Sequence, residues 1–229
     1  MFVERDVDGH ERSNPFRGDL ALANSAYAGF YGKHLVHLPS CEPTSPLMEF
    51  VHDSFRALVL SSRFSCVGAK AAIRSGAYRA GLYDALGSTG ATAGLARDLF
   101  SFVEEQKELG GAYTTFVASF AGPNVADEAV FERLLWAQLR LLHEEDLHHH
   151  GWDASVSSDP EDPDFAFSFA ERAFFSSGST RRAPASHDGS PGPRWCSTLT
   201  TSSIGSARRV GTRACRRSSA PGSASSREP

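Results

Sequence analysis

All 16 phenylalanines of this 229-residue chain lie at or before Phe175, and that boundary limits what can fold. Residues 176–229 hold 14 Ser, 9 Arg, 6 Gly, 6 Ala, 5 Pro and 5 Thr, with no Phe, Tyr or Lys. Their only large apolar side chains are Trp195, Leu199, Ile204 and Val210. Burial of so few groups does not offset the conformational entropy of ordering the stretch, so 176–229 is expected to be a disordered Ser/Arg/Pro-rich tail. Any core has to come from the first 175 residues.

Charge divides at the same place. The tail carries nine Arg against Asp188 and Glu228, a net +7, which leaves −11 on residues 1–175 of the chain's −4. Phosphate binding needs a basic face, so an acidic folded part argues against nucleic acid as its partner. No apolar run approaches the about 18 residues that span a bilayer, and Met1-Phe2-Val3-Glu4-Arg5-Asp6 lacks the basic and apolar regions of a secretion signal. No membrane partner and a cytoplasmic location are expected. Cys41, Cys66, Cys196 and Cys215 are widely spaced with no CxxC pair, which fits reduced thiols rather than a disulfide framework.

Three regions follow. Residues 1–46 are polar and broken by Pro15, Pro43 and Pro46, and read as mostly irregular with one short helix around Leu20 to Phe30. Residues 47–175 read as a folded domain. Within it Met48, Val51, Phe55, Leu58 and Val59 recur at helical spacing after Pro46, a second helix is expected over 67–86, and a third over 92–108. Tyr113 to Phe120 alternates as a strand. Asp127 then caps a helix whose stripe is Phe131, Leu134, Leu135, Gln138, Leu139 and Leu142, and Phe165, Phe167 and Phe169 alternate as a strand running to Phe175. Strands and helices in this order give an α+β fold, helices packed on a small mixed sheet.

Several residues carry possible chemistry. His143-Glu144 is followed by His148, not by a histidine at 147, and a residue at i+5 lies about 140° around a helix, so a zinc-protease HExxH site is excluded. Two Glu-x-x-His pairs, Glu49/His52 and Glu145/His148, have the spacing that di-iron carboxylate bundles use, with Glu104, Glu105, Glu128 or Glu132 to complete the set. Solvated surface pairs would look the same. Cys66 stands just before a predicted helix, where unpaired amides and the dipole favour an anionic sulfur and Lys70 is near; the alternative is a small buried hydrophobe.

A set of strings then resembles a known family. Phe64-Ser65-Cys66-Val67-Gly68-Ala69-Lys70, Leu142-His143 with Asp146, Trp152-Asp153, Val156-Ser157-Ser158-Asp159-Pro160 and Phe165-Ala166-Phe167-Ser168-Phe169 are similar to the YqcI/YcgG family over about residues 48–175. That family includes haem-dependent N-hydroxylases of guanidino compounds. The resemblance implies a monooxygenase that uses haem iron, O₂ and an electron donor to N-hydroxylate arginine or an arginine-like small molecule. It gives Cys66 a role as axial ligand, with His143 as second choice, and Asp153 and Asp159 as anchors for the cationic guanidinium. Turn capping would also employ those aspartates. The competing expectations are a di-iron oxygenase and a non-catalytic member that keeps only the scaffold.

The resemblance stops at Phe175, where the family strand would continue Val-Val-Gly-Leu-His-Pro. Here the chain reads Ser176-Ser177-Gly178-Ser179-Thr180-Arg181. Written as TCG TCG GGC TCC ACC CGN and regrouped with one preceding G, those codons encode the expected six residues. Pro193 to Ala207 treated likewise yields Pro-Ala-Leu-Val-Phe-Asn-Pro-His, the next expected segment. Residues 176–229 therefore read as an out-of-frame translation of a G+C-rich gene. A chain so altered lacks core residues, and inactivity is the expected consequence.

Overall fold

The structure, a computed structural model, describes residues 14–32, 34–38, 40–62, 64, 66–106, 108–110, 113–125, 127–180 and 197–203, with 177–180 and 197–203 described by their backbone. The elements in chain order are α1 (Asp19–Asn24), β1 (Ala28–Tyr31), β2 (His34–His37), α2 (Pro46–Leu60), α3 (Val67–Ser75), β3 (Tyr78–Ala85), α4 (Thr89–Glu105), β4 (Thr115–Gly122), α5 (Glu128–Asp146), β5 (Phe167–Phe169), β6 (Arg172–Thr180) and β7 (Ser197–Ser203). The fold is α+β. Among the described residues no helix is long and apolar enough to cross a membrane.

Local chemistry accounts for the helix starts. Ser45 accepts a hydrogen bond from the Met48 amide with Pro46 in the first turn, Ser88 accepts from Ala91, and Asp127 accepts from Ala129 and Val130. The expected helix over 67–86 is corrected to α3 followed by β3. Gly76 takes φ +74° and closes α3 as a left-handed cap, and the following Tyr78-Arg79-Ala80-Gly81-Leu82-Tyr83 pairs as a strand. The N-terminal segment, expected to be mostly irregular, carries α1 and the β1/β2 hairpin. Four-residue strands are too short for periodicity to mark.

The strands form one seven-stranded mixed sheet in the order β2-β1-β3-β4-β7-β6-β5. β3 and β4 are parallel, joined by α4 as crossover helix, and the other neighbours are antiparallel. Side chains alternate across the sheet, so its two faces carry separate cores. On one face Phe116, Ala118 and Phe120 of β4 and Phe174 of β6 pack with Leu95, Leu99 and Phe102 of α4 and Phe131, Leu139 and Leu142 of α5. On the other, Tyr78, Ala80 and Val117 pack with Met48, Phe55 and Val59 of α2 and Ala69 and Ile73 of α3.

Of the stretch expected to be disordered, residues 181–196 and 204–229 lie outside the described residues. The described parts, 176–180 and 197–203, are strand. β7 lies between β4 and β6 in the register Phe116↔Thr201↔Ser176. Strand pairing uses backbone groups, and the Thr-rich Ser197–Ser203 has the β-branched content strands favour. The Oγ of Ser176 is buried and has no hydrogen-bond partner among the described residues.

Candidate functional site

The carboxyl end of α5 and the loop after it bring most of the resembling strings together. His143, half-buried, meets the Trp152 ring edge-on at 5.1 Å between centroids. Trp152 in turn packs on Phe165 at 6.1 Å and Phe167 at 6.3 Å, and Trp136 of α5 lies 5.9 Å from Phe165. The indole Nε1 of Trp152 is buried and has no hydrogen-bond partner among the described residues. Buried Asp146 ties the helix end to the β5/β6 turn: its Oδ2 accepts from the Ala170 amide at 2.8 Å, and its Oδ1 meets His150 Nδ1 at 2.8 Å. Burial pushes this carboxyl above its usual range, against the pull of Ala170 and His150.

The two aspartates expected to anchor a guanidinium differ in what they already hold. Asp153 commits both oxygens: Oδ1 accepts from the Ser155 amide and hydroxyl at 2.9 and 2.7 Å, and Oδ2 from the Ala173 amide of β6 at 2.9 Å. Burial works the other way, but these hydrogen bonds hold its carboxyl below the usual value. Exposed Asp159 accepts one bond on Oδ1, from the Glu161 amide at 3.0 Å. Both aspartates thus cap turns of this loop, and Asp153 also ties it to β6.

Cys66 lies elsewhere. It is the N-cap of α3, a free, half-buried thiol whose side chain makes no capping bond, and it packs with Phe30, Phe64 and Leu82 against the second core. His143 and Trp152 belong to the opposite face of the sheet, so the two ligand candidates do not share a site. The Glu-x-x-His pairs are separated the same way. Glu49 and His52 are on α2, whereas Glu145 and His148 are exposed at the end of α5. Among the described residues no group of three or more His, Cys, Asp or Glu is placed to hold a metal ion.

Two buried polar networks escape a reading of the sequence. Arg56 Nη1 donates to the Tyr78 hydroxyl at 2.8 Å, which leaves the Tyr78 O–H to donate to His52 Nε2 at 2.7 Å, and His52 Nδ1 meets Asp53 Oδ1 at 3.2 Å. Burial holds His52 below its usual value of 6.5, so the ring is neutral with its proton on Nδ1. On the other face, fully buried Asp98 of α4 accepts from Ser25 Oγ at 2.5 Å, the Ala26 amide at 2.7 Å and the Tyr83 hydroxyl at 2.7 Å. Beside it Glu105 accepts from Tyr27 at 2.6 Å and pairs with Arg79 through two nitrogens. In the sequence His52 and Glu105 stand out only as di-iron candidates, and the signal for the second network is Arg97-Asp98 within the apolar stretch of a helix.

Comparison with curated proteins and with solved structures finds no match. The model of the YqcI/YcgG family matches residues 55–187, which takes in Cys66, β3 to β6, and all of the cluster around His143 and Trp152. That span is more than half of the chain. The chain therefore belongs to the YqcI/YcgG family.

Proposed function

We propose that the carboxyl end of α5 is the centre of a haem-dependent N-hydroxylase acting on a small guanidino compound, with His143 as the iron ligand. The observation that carries this is that three strings between residues 142 and 169 pack together, Trp152 meeting the half-buried His143 imidazole and Phe165 and Phe167 meeting Trp152. The donor chemistry fits. An imidazole can ligate iron, aromatic walls suit a flat macrocycle, and the buried Trp152 N–H is a donor left for an acceptor on a bound group. Cys66 offers a thiol on the opposite face, apart from all of these residues. For the same geometric reason the two Glu-x-x-His pairs do not support a di-iron centre.

When bound, haem supplies the activation of O₂. The net change converts a guanidino N–H to N–OH and the second oxygen atom to water, with two electrons from an external donor and two protons. In this reading His143 holds the group, while Trp152 and Phe165 limit water and present ring faces suited to a planar cation. Asp159, with one oxygen not engaged by the loop, meets the guanidinium through a charge-assisted bond. Asp153 positions that loop on β6.

Visible spectra of the full chain after titration with haemin test the assignment. A Soret band that is retained in Cys66→Ala and lost in His143→Ala, both with unchanged far-ultraviolet dichroism, is the expected result. No band from the parent chain, or loss in Cys66→Ala alone, overturns it.

A further inference from the structure

Asn14 to Phe16, the first described residues, bridge α4 and the far end of α5, and they lie outside the span that the family model matches. The side chain of Asn14, 2% exposed, latches onto α4. Its Nδ2 donates to the Arg97 carbonyl at 3.0 Å and to Ser101 Oγ at 3.1 Å, while its Oδ1 accepts from the Phe16 amide at 2.9 Å. Arg97 Nη1 returns a hydrogen bond to the Phe16 carbonyl at 3.2 Å. The segment is thus fastened by side-chain bonds to one turn of α4, with no strand or helix of its own.

What the latch holds in place is the Phe16 ring, 6% exposed. The ring stacks on Phe169 of β5 at 5.5 Å between centroids, and it meets Phe100 of α4 at 6.0 Å, His149 edge-on at 5.2 Å and His150 at 6.3 Å. Three elements distant in sequence therefore share one ring. The turn it touches, residues 147–151, is the one that spaces His143 from Trp152. Its amides close on the end of α5: Leu147 donates to the His143 carbonyl, and His149 and His150 to the Asp146 carbonyl. Phe169 lies two residues from Phe167 on the same side of β5, so Phe16 and Trp152 brace that strand together. Immediately after the ring, Arg17 to Leu20 are exposed.

A segment held by so few groups is the kind of unit that opens without unfolding the sheet. We propose that Asn14 to Phe16 form a strap on the His143 site: seated, it orders the 147–151 turn and so fixes Trp152 against His143; lifted, it frees that turn and opens the site while the sheet stays folded. The mechanical part stands on these contacts, and its consequence for haem rests on the reading of His143 as ligand.

Native-state hydrogen exchange of the full chain, without added ligand, tests the strap. The amides of Leu147, His149 and His150 are expected to open together with that of Phe16, at a lower free energy than those of β3 and β4. Phe16→Ala is expected to speed exchange at Leu147, His149 and His150 by about tenfold or more relative to β3 and β4, and Phe16→Leu to restore most of the protection. Asn14→Ala, which keeps the ring and removes the latch, should give the same pattern, and it decides where Phe16→Ala does not fold. Haemin titration of Phe16→Ala should require about tenfold more haemin for the same Soret band. Unchanged exchange at the turn, acceleration spread evenly over β3 and β4, or unchanged haemin affinity in a variant whose turn has opened overturns the proposal. A parent chain that gives no Soret band removes the haem reading alone, and exchange still decides the strap.

Discussion

His52 and Asp98 are buried on opposite faces of the sheet, and burial biases each toward its uncharged form. For His52 the folded value lies below the 6.5 of the open chain. The unfolded chain therefore takes up the proton first, and stability present above pH 6.5 is lost as pH falls through the lower folded value. Asp98 acts in the opposite direction. Burial raises its carboxyl from 3.8 to about 6, so the folded chain takes up the proton first, and stability is gained as pH falls from about 6 toward 3.8. Deprotonating it at neutral pH costs roughly 3 kcal/mol in the limit of full burial. Urea midpoints measured from pH 7 to pH 4 separate the two. Asp98→Asn should compare best with the parent at pH 7 and progressively worse toward pH 4, because Asn has no charge to lose; a constant difference across the range would remove the burial argument. His52→Gln should lose less stability than the parent on acidification below pH 6.5, since Gln accepts from Tyr78 without titrating.

α1 is only six residues long and stays on the fold because α4 leaves it room. A methyl group at Gly94 would lie 2.1 Å from the Asn24 carbonyl oxygen, so the two helices meet backbone to backbone. Gly94→Ala should force α1 outward and destabilise the chain by about 1–3 kcal/mol, the usual cost of overpacking. An unchanged thermal midpoint would show that α1 contributes nothing. Contacts of this kind explain what could be read from sequence and what could not. The cap at Asp127 and the stripe Phe131, Leu135, Leu139 and Leu142 are local, and α5 was legible from them. The turn into β3 at Gly76 was not, because Val67 to Leu86 has enough Ala and Leu to pass for one helix and only pairing with β4 makes its second half a strand. Likewise the strings around Trp152 stood out in the sequence, but only the packing of the loop on α5 shows that His143 joins them and Cys66 does not.

At the scale of the whole molecule the sheet and the tail disagree. β7 has neighbours on both sides, and on its β4 side Thr115 to Phe120 are all buried. A strand in such a slot normally reads as a run of apolar residues. Ser197-Thr198-Leu199-Thr200-Thr201-Ser202-Ser203 supplies one large apolar side chain, and Ser176, next to it in register, buries an unpartnered hydroxyl. The backbone pairing is that of a core strand while the residues are those of a solvated tail. The out-of-frame translation expected from the sequence would bear on Ser176, because the regrouped codons put Val there, while its apolar Ala-Leu-Val-Phe run would lie just before and at the start of β7. Ser176→Val alone should then raise stability by about 1–2 kcal/mol, by removing the cost of the buried hydroxyl and adding a β-branched side chain on the core face. Resequencing the gene around the Phe175 codon is the direct measurement. A single-base difference that restores Val-Val-Gly-Leu-His-Pro is the expected outcome, and the chain translated in that frame should melt higher than the present one. An uninterrupted frame encoding Ser176 to Pro229, or a Ser176→Val chain no more stable than its parent, would leave the polar strand as a native feature of this sheet.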